Sequence, residues 1–170
     1  YGKHTDGMGG ATSSTSKTVI VSKSSEPGHD VDYLFGQVAI DAPFIDWSGN
    51  CGNLSAAVGG YAITQGLIEP NRVPENGIAE IRIFQVNIQK TIVAFVPISD
   101  GQVQETGDFE LDGVTFPAAE VGIEFLDPAD ASGAMFPTGN LVDSLELPTD
   151  IVASGSVPAT LINAGIPTIF

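Results

Sequence analysis

Apolar residues in this chain come in short runs broken by Gly, Pro, Asp and Ser, and one run differs from all the others. Residues 18–22, Thr-Val-Ile-Val-Ser, read as a short buried strand. Residues 31–40 alternate loosely, with Val31, Tyr33 and Phe35 on one face and Leu34, Val38 and Ile40 on the other, as in a strand covered on both sides. Residues 78–88 alternate well through Ile81 and Ile83 and then slip phase to Phe84, Val86 and Ile88, which predicts a long strand with a bulge at the slip. A turn over 87–90 leads into residues 91–96 and makes a hairpin. Asp100-Gly101 marks another turn. Residues 114–116, 120–126 and 156–162 read as further strands, 128–140 as a loop, and 141–147 as a short helical turn. The exception is residues 51–65, apolar nearly all the way round, which predicts a helix buried on every side and ended by Gly66. A curved, largely antiparallel sheet wrapped around that single central hydrophobic helix is the α+β architecture these elements suggest.

Composition narrows the function classes. At 170 residues and 42% hydrophobic, with 20 Gly and 11 Pro, the chain is long enough for one well-cored, turn-rich domain. No apolar run reaches membrane-spanning length and no signal-peptide pattern opens the chain, so a cytoplasmic setting is expected. The formal net charge of −15 leaves no basic surface to displace counterions, which argues against nucleic acid and against an anionic membrane as partner. The single Cys excludes an internal disulfide framework, and His4 and His29 stand too far apart in sequence to suggest a metal centre. No cofactor is called for.

Two residues stand out chemically. Cys51 lies in Asp46-Trp47-Ser48-Gly49-Asn50-Cys51-Gly52-Asn53, at the start of the apolar helix. There the first-turn N–H groups and the positive end of the macrodipole suit a thiolate or a carboxylate. The plainer alternative is a small buried hydrophobe. Lys17, one of only four lysines, ends a donor-rich segment and opens an apolar strand. A desolvated lysine gives up its proton more readily and can act as a general base; a surface lysine is the ordinary alternative. Other patterns carry less. Ser14-Thr15-Ser16-Lys17 matches the S-x-x-K of β-lactamases but has neither companion motif. Gly7-Met8-Gly9-Gly10 lacks the ending of a phosphate loop, although with residues 12–16 it offers donors for carboxylates. Asp108, Glu110 and Asp112 alternate as on a solvated strand or turn rather than at calcium-loop spacing.

Three segments together resemble the PrpF family: residues 6–17 (Asp-Gly-Met-Gly-Gly-Ala-Thr-Ser-Ser-Thr-Ser-Lys), residues 30–37 (Asp-Val-Asp-Tyr-Leu-Phe-Gly-Gln) and Asn50-Cys51-Gly52-Asn53. Residues 104–114 are similar to the family as well. The resemblance implies a diaminopimelate epimerase-like fold of two lobes, each a sheet around a central helix, with substrate in the cleft between them. It implies 2-methylaconitate cis–trans isomerisation in propionate catabolism, with Lys17 and Cys51 as the acid/base pair. Ser16, Asn50, Gly52 and Asn53 would hold the substrate's carboxylates. Family members are about two lobes long and carry an upstream Arg-Gly-Gly-Thr-Ser-Lys-Gly segment that these residues lack. The chain is therefore expected to be a single lobe, residues 1–170, forming most of the N-terminal half. Its open face would be covered by a second lobe or by a second copy in a homodimer. Two rival functions stay open at this point: an amino-acid racemase using paired cysteines, and a lobe that binds a carboxylate or a partner without catalysis.

Overall fold

The computed structural model describes residues 16–129 and 133–170. The loop expected over residues 6–16 lies outside them apart from Ser16, as does the glycine cluster of residues 7–10. Two compact units divide the chain, Tyr1–Leu126 and Asp127–Phe170.

In the first unit, β1 (Lys17–Lys23) and β2 (Val31–Val38) form an antiparallel hairpin in which Lys17 faces Gln37 and Val21 faces Tyr33. A short β3 (Ile45–Asp46) returns along the end of β2. Next comes α1 (Gly52–Thr64), then a 3-10 turn at Pro70–Arg72 and β4 (Gly77–Gln85). β4 lies parallel to β2, so α1 sits in the crossover that a parallel neighbour requires. All other pairings are antiparallel: β4 with β5 (Lys90–Ser99), and β5 with both β6 (Gln102–Val103) and β7 (Gly122–Phe125). The result is a mixed α+β unit with a mostly antiparallel sheet and one α-helix among the described residues.

The core lies between α1 and the middle of that sheet. Val31, Tyr33 and Phe35 of β2, Ile81 and Ile83 of β4, and Ile92, Ala94 and Val96 of β5 meet Val58 and Ala62 of the helix. Gly59 permits the approach: a Cβ there would stand 2.8 Å from Val96 Cγ2 and 3.0 Å from Ala94 Cβ. Gly66, at φ +67°, ends the helix in the left-handed region as expected, and Leu67 N–H closes back to the Ala62 carbonyl at 2.9 Å.

Several expectations are corrected. α1 is not buried on every side: Ser55, Val58, Gly59 and Ala62 are enclosed while Ala57, Tyr61 and Thr64 are exposed. The phase slip at Phe84 is not a bulge, because β4 pairs with β5 without interruption from Gly77 to Gln85. Val86 and Ile88 belong instead to the hairpin turn, where Gln89 takes φ +52°. Ile40 lies beyond β2 and is exposed. Residues 114–116 form no strand; Val114 N–H closes a turn on the Leu111 carbonyl.

The second unit contains two small antiparallel pairs. β8 (Asp143–Glu146) joins β9 (Ser156–Ala159), and β10 (Leu161–Asn163) joins β11 (Pro167–Ile169). The helical turn expected over residues 141–147 is thus strand β8, and the single strand expected over 156–162 is split at Thr160, whose N–H turns to the Phe170 carbonyl. Asp143 accepts from Thr138 Oγ1 and Asn140 Nδ2, each at 2.7 Å, and these bonds hold its carboxyl below its ordinary range.

Candidate active site

Lys17 and Cys51, 34 positions apart, are brought into contact: the lysine Nζ donates to Cys51 Sγ at 3.4 Å. Each is placed by a distinct local arrangement. Lys17 is the first residue of β1, and the residue before it is pinned, since the Ser16 carbonyl accepts both Val38 N–H (2.9 Å) and Gln37 Nε2 (2.8 Å). Opposed residues in an antiparallel pair share a face, so Lys17, Gln37, Phe35 and Tyr33 project from the same side of the sheet.

Cys51 is the N-cap of α1, in extended conformation, with the residue 8% exposed. Its own N–H donates to Asn50 Oδ1 at 2.7 Å. No side chain caps the helix, and first-turn N–H groups have no partner within a helix. The expected donor set is thereby narrowed: the N–H of Cys51 is taken, and the exposed Gly52 and Asn53 carry the positive end of the helix. No acidic residue lies in that first turn to oppose a bound anion. Ser16 and Asn50 are half-buried and adjoin the two reactive groups in sequence.

The carbonyl of Cys51 accepts two hydroxyls, Tyr33 Oη at 3.2 Å and Ser55 Oγ at 3.0 Å. Both side chains are fully buried. Burial, reinforced by the Cys51 sulfur and opposed by the bond to Ser55, pushes the Tyr33 phenol up to about 12. Sequence reading missed both residues. Tyr33 is indistinguishable from a core aromatic in its alternation, and only the spacing of Ser55, one helical turn after Cys51, could have pointed to it.

The loop that delivers Cys51 is fastened by Asn87. Its Oδ1 accepts Phe35 N–H (2.9 Å) and Gln85 Nε2 (2.6 Å), while its Nδ2 donates to the carbonyls of Phe35 (2.9 Å) and Trp47. Buried Gln85 completes the set by accepting Ile88 N–H at 2.9 Å. The same loop presses on β2 at Gly36, where a Cβ would lie 2.6 Å from Ile45 Cγ2 and 2.8 Å from Trp47. Asp46 accepts Ser48 N–H at 2.9 Å, and its bonds to Ser48 lower its carboxyl pKa.

A groove of about 370 Å³ on the exposed side of α1, lined among others by Ala57, Gly60, Tyr61, Val103 and Val121, includes neither Lys17 nor Cys51. Among the described residues no three His, Cys, Asp or Glu side chains cluster as a metal site, and no helix is long and apolar enough to cross a membrane. Paired amine and thiol chemistry is what this surface offers.

Residues 1–170 match the family described as "PrpF protein". The chain is 69% identical to a 2-methyl-aconitate isomerase of Cupriavidus necator and 68% identical to one of Shewanella oneidensis, in each case over 100% of the chain and 43% of the relative. The chain thus spans less than half the length of these relatives. A crystal structure of a methylitaconate-delta-isomerase superposes with a TM-score of 0.82 at 36% identity, covering 97% of this chain and 41% of the other.

Proposed function

The chain belongs to the PrpF family, and on that premise we propose that it provides the proton-moving pair of an isomerase acting on unsaturated tricarboxylates, 2-methylaconitate or aconitate. The observation that carries this reading is the 3.4 Å contact between Lys17 Nζ and Cys51 Sγ at an uncapped helix start. The names of the two isomerases that are 69% and 68% identical support the substrate class.

In this reading the Lys17 amine takes a proton from the carbon beside the double bond. The electron pair of that C–H bond delocalises through the double bond into the conjugated carboxylate. The former double bond gains single-bond character and rotates, or the proton returns at the far end of the allyl system. Either route gives back the proton it took, so atoms and electrons balance without a redox partner. The N–H groups of Gly52 and Asn53, at the positive end of α1, stabilise the charge that grows on the carboxylate, the kind of preorganised electrostatic help that contributes most to such steps. Ser16 and Asn50 are assigned to the substrate's remaining carboxylates. Cys51 returns the proton or shapes the site around Lys17.

We read the chain as one lobe of a two-lobed, diaminopimelate epimerase-like enzyme whose other half supplies the opposite wall of the cleft. The 43% span of the relatives supports this. A sheet curving around α1 as a central helix belongs to the same reading.

The test is Lys17→Ala in the full-length, two-lobed protein. Turnover of 2-methylaconitate or aconitate should fall about a thousandfold, within the usual share of general base catalysis, with thermal unfolding unchanged. Wild-type turnover in D₂O should place deuterium in recovered substrate as well as product. Undiminished turnover by the folded variant would refute the assignment.

A further inference from the structure

We propose that Tyr33 and Ser55 are positioning residues: their two hydroxyls converge on the carbonyl oxygen of Cys51 and fix the direction in which its sulfur meets Lys17. The inference rests on the isomerase reading only for its kinetic consequence; the geometric part stands by itself.

Both peptide groups that flank the Cys51 Cα are held. On one side its N–H donates to Asn50 Oδ1 at 2.7 Å. On the other its carbonyl accepts Tyr33 Oη at 3.2 Å and Ser55 Oγ at 3.0 Å. With φ at −128° and ψ at 107° so constrained, the Cα–Cβ bond is aimed and the sulfur keeps only its choice among staggered rotamers. One of these meets Lys17. The two hydroxyls come from different elements, Ser55 from α1 itself and Tyr33 from β2 beneath it.

β2 therefore holds both members of the pair. Gln37, four residues along from Tyr33 and on the same face, is the register partner of Lys17, and its side chain grips the Ser16 carbonyl. A single strand measures the separation of amine and thiol. Tyr33 is suited to the task because burial raises its phenol to about 12, so it remains a donor at any working pH. Neither hydroxyl faces solvent, and losing one leaves the cysteine carbonyl with a weaker hold rather than a water in exchange.

The experiment uses o-phthalaldehyde, which forms a fluorescent isoindole only where an amine and a thiol lie in contact. Cys51 is the sole cysteine of these 170 residues, and in the full-length protein, where kcat is read, Lys17→Ala identifies any isoindole that forms elsewhere. Wild type should give the isoindole and Lys17→Ala should not. Tyr33→Phe and Ser55→Ala, each checked for a cooperative thermal transition, should slow isoindole formation and lower kcat for aconitate about tenfold, with KM within about twofold, because a hydrogen bond that orients a reacting group is lost. Wild-type isoindole rate and kcat in both variants would overturn the proposal. If Tyr33→Phe does not fold, Ser55→Ala decides alone, and an unchanged rate in it overturns the proposal equally. Lys17→Ala separates this from failure of the isomerase reading. Retained turnover there sinks that reading, while the isoindole rates still judge the positioning.

Discussion

At the scale of single residues, the side chains around Cys51 differ in how their loss would show itself. Lys17 is proposed to act on substrate, so its removal is read in turnover. Tyr33 also has a signature in stability, and its sign follows from the direction of its shift. The folded phenol holds its proton up to about 12, whereas an unfolded tyrosine loses it near 10. Between those values the unfolded chain binds fewer protons, so stability falls as pH rises; below about 10 the contribution is complete. Urea unfolding at stepped pH should show wild type losing stability between about pH 10 and about pH 12 relative to Tyr33→Phe. Parallel curves for the two proteins would count against the buried, cysteine-facing phenol. Scarcity of cations and thiols singled out Lys17 and Cys51 in the sequence, and the family resemblance paired them. Tyr33, Gln85 and Asn87 were not. A side chain with an apolar body and a polar tip obeys the same alternation as a hydrophobe, and what its tip touches depends on elements distant in sequence, 52 positions away for the Asn87–Phe35 bonds.

At the scale of elements, the neighbouring glycines of α1 make opposite predictions. A Cβ on Gly59 would press to 2.8 Å from Val96 Cγ2, in a packed core, while one on Gly60 would sit an ordinary 3.6 Å from Val103 Cγ1. Gly59→Ala should therefore destabilise by about 1–3 kcal/mol through overpacking, outweighing the helix propensity it gains. Gly60→Ala should stabilise by up to about 1 kcal/mol. Denaturant midpoints of the two variants, moving in opposite directions from wild type, check this; movement in the same direction would show that α1 is not seated on β5 as described. The helix was readable in outline, 51–65 against Gly52–Thr64, because apolar length and a Gly terminator are local signals. Its open side was not readable. A low amphipathic contrast says that a helix tolerates burial all round, not that cover is present. The same reasoning explains β8: Leu141 and Leu145 fit a helical face, Leu141, Leu145 and Leu147 a strand face, and pairing with β9 decides between them. At Phe84 the apolar run outlasts the strand, and the surplus residues go into the turn.

At the scale of the whole chain, the charge of these 170 residues sets a problem that the local site has to overcome. In the proposed reading, these residues, of formal charge −15, repel a tricarboxylate anion at long range, while the positive end of α1 attracts it only close in. Salt screens the distant repulsion more than the short contact, because the screening length is about 10 Å at 0.1 M. If the proposed activity holds, KM of the full-length protein for aconitate should fall as ionic strength is raised from about 0.01 to about 0.1 M. A KM that rises steadily with salt would mean that the local attraction dominates the encounter and that the acidic surface lies where the ligand does not feel it.

The hairpin of β1 and β2 has its turn at the Lys23–Val31 end, and Lys17 stands at the other, opposite Gln37. Lengthening that turn, for instance with a peptide tag grafted between Glu26 and Gly28, would leave the amine and the sulfur where they are. An insertion of the same size between Trp47 and Asn50 would not, because there the backbone runs directly from the Asn87 clamp into the helix. Labels and fusions for studying this protein in cells therefore belong at the first place and should be kept from the second.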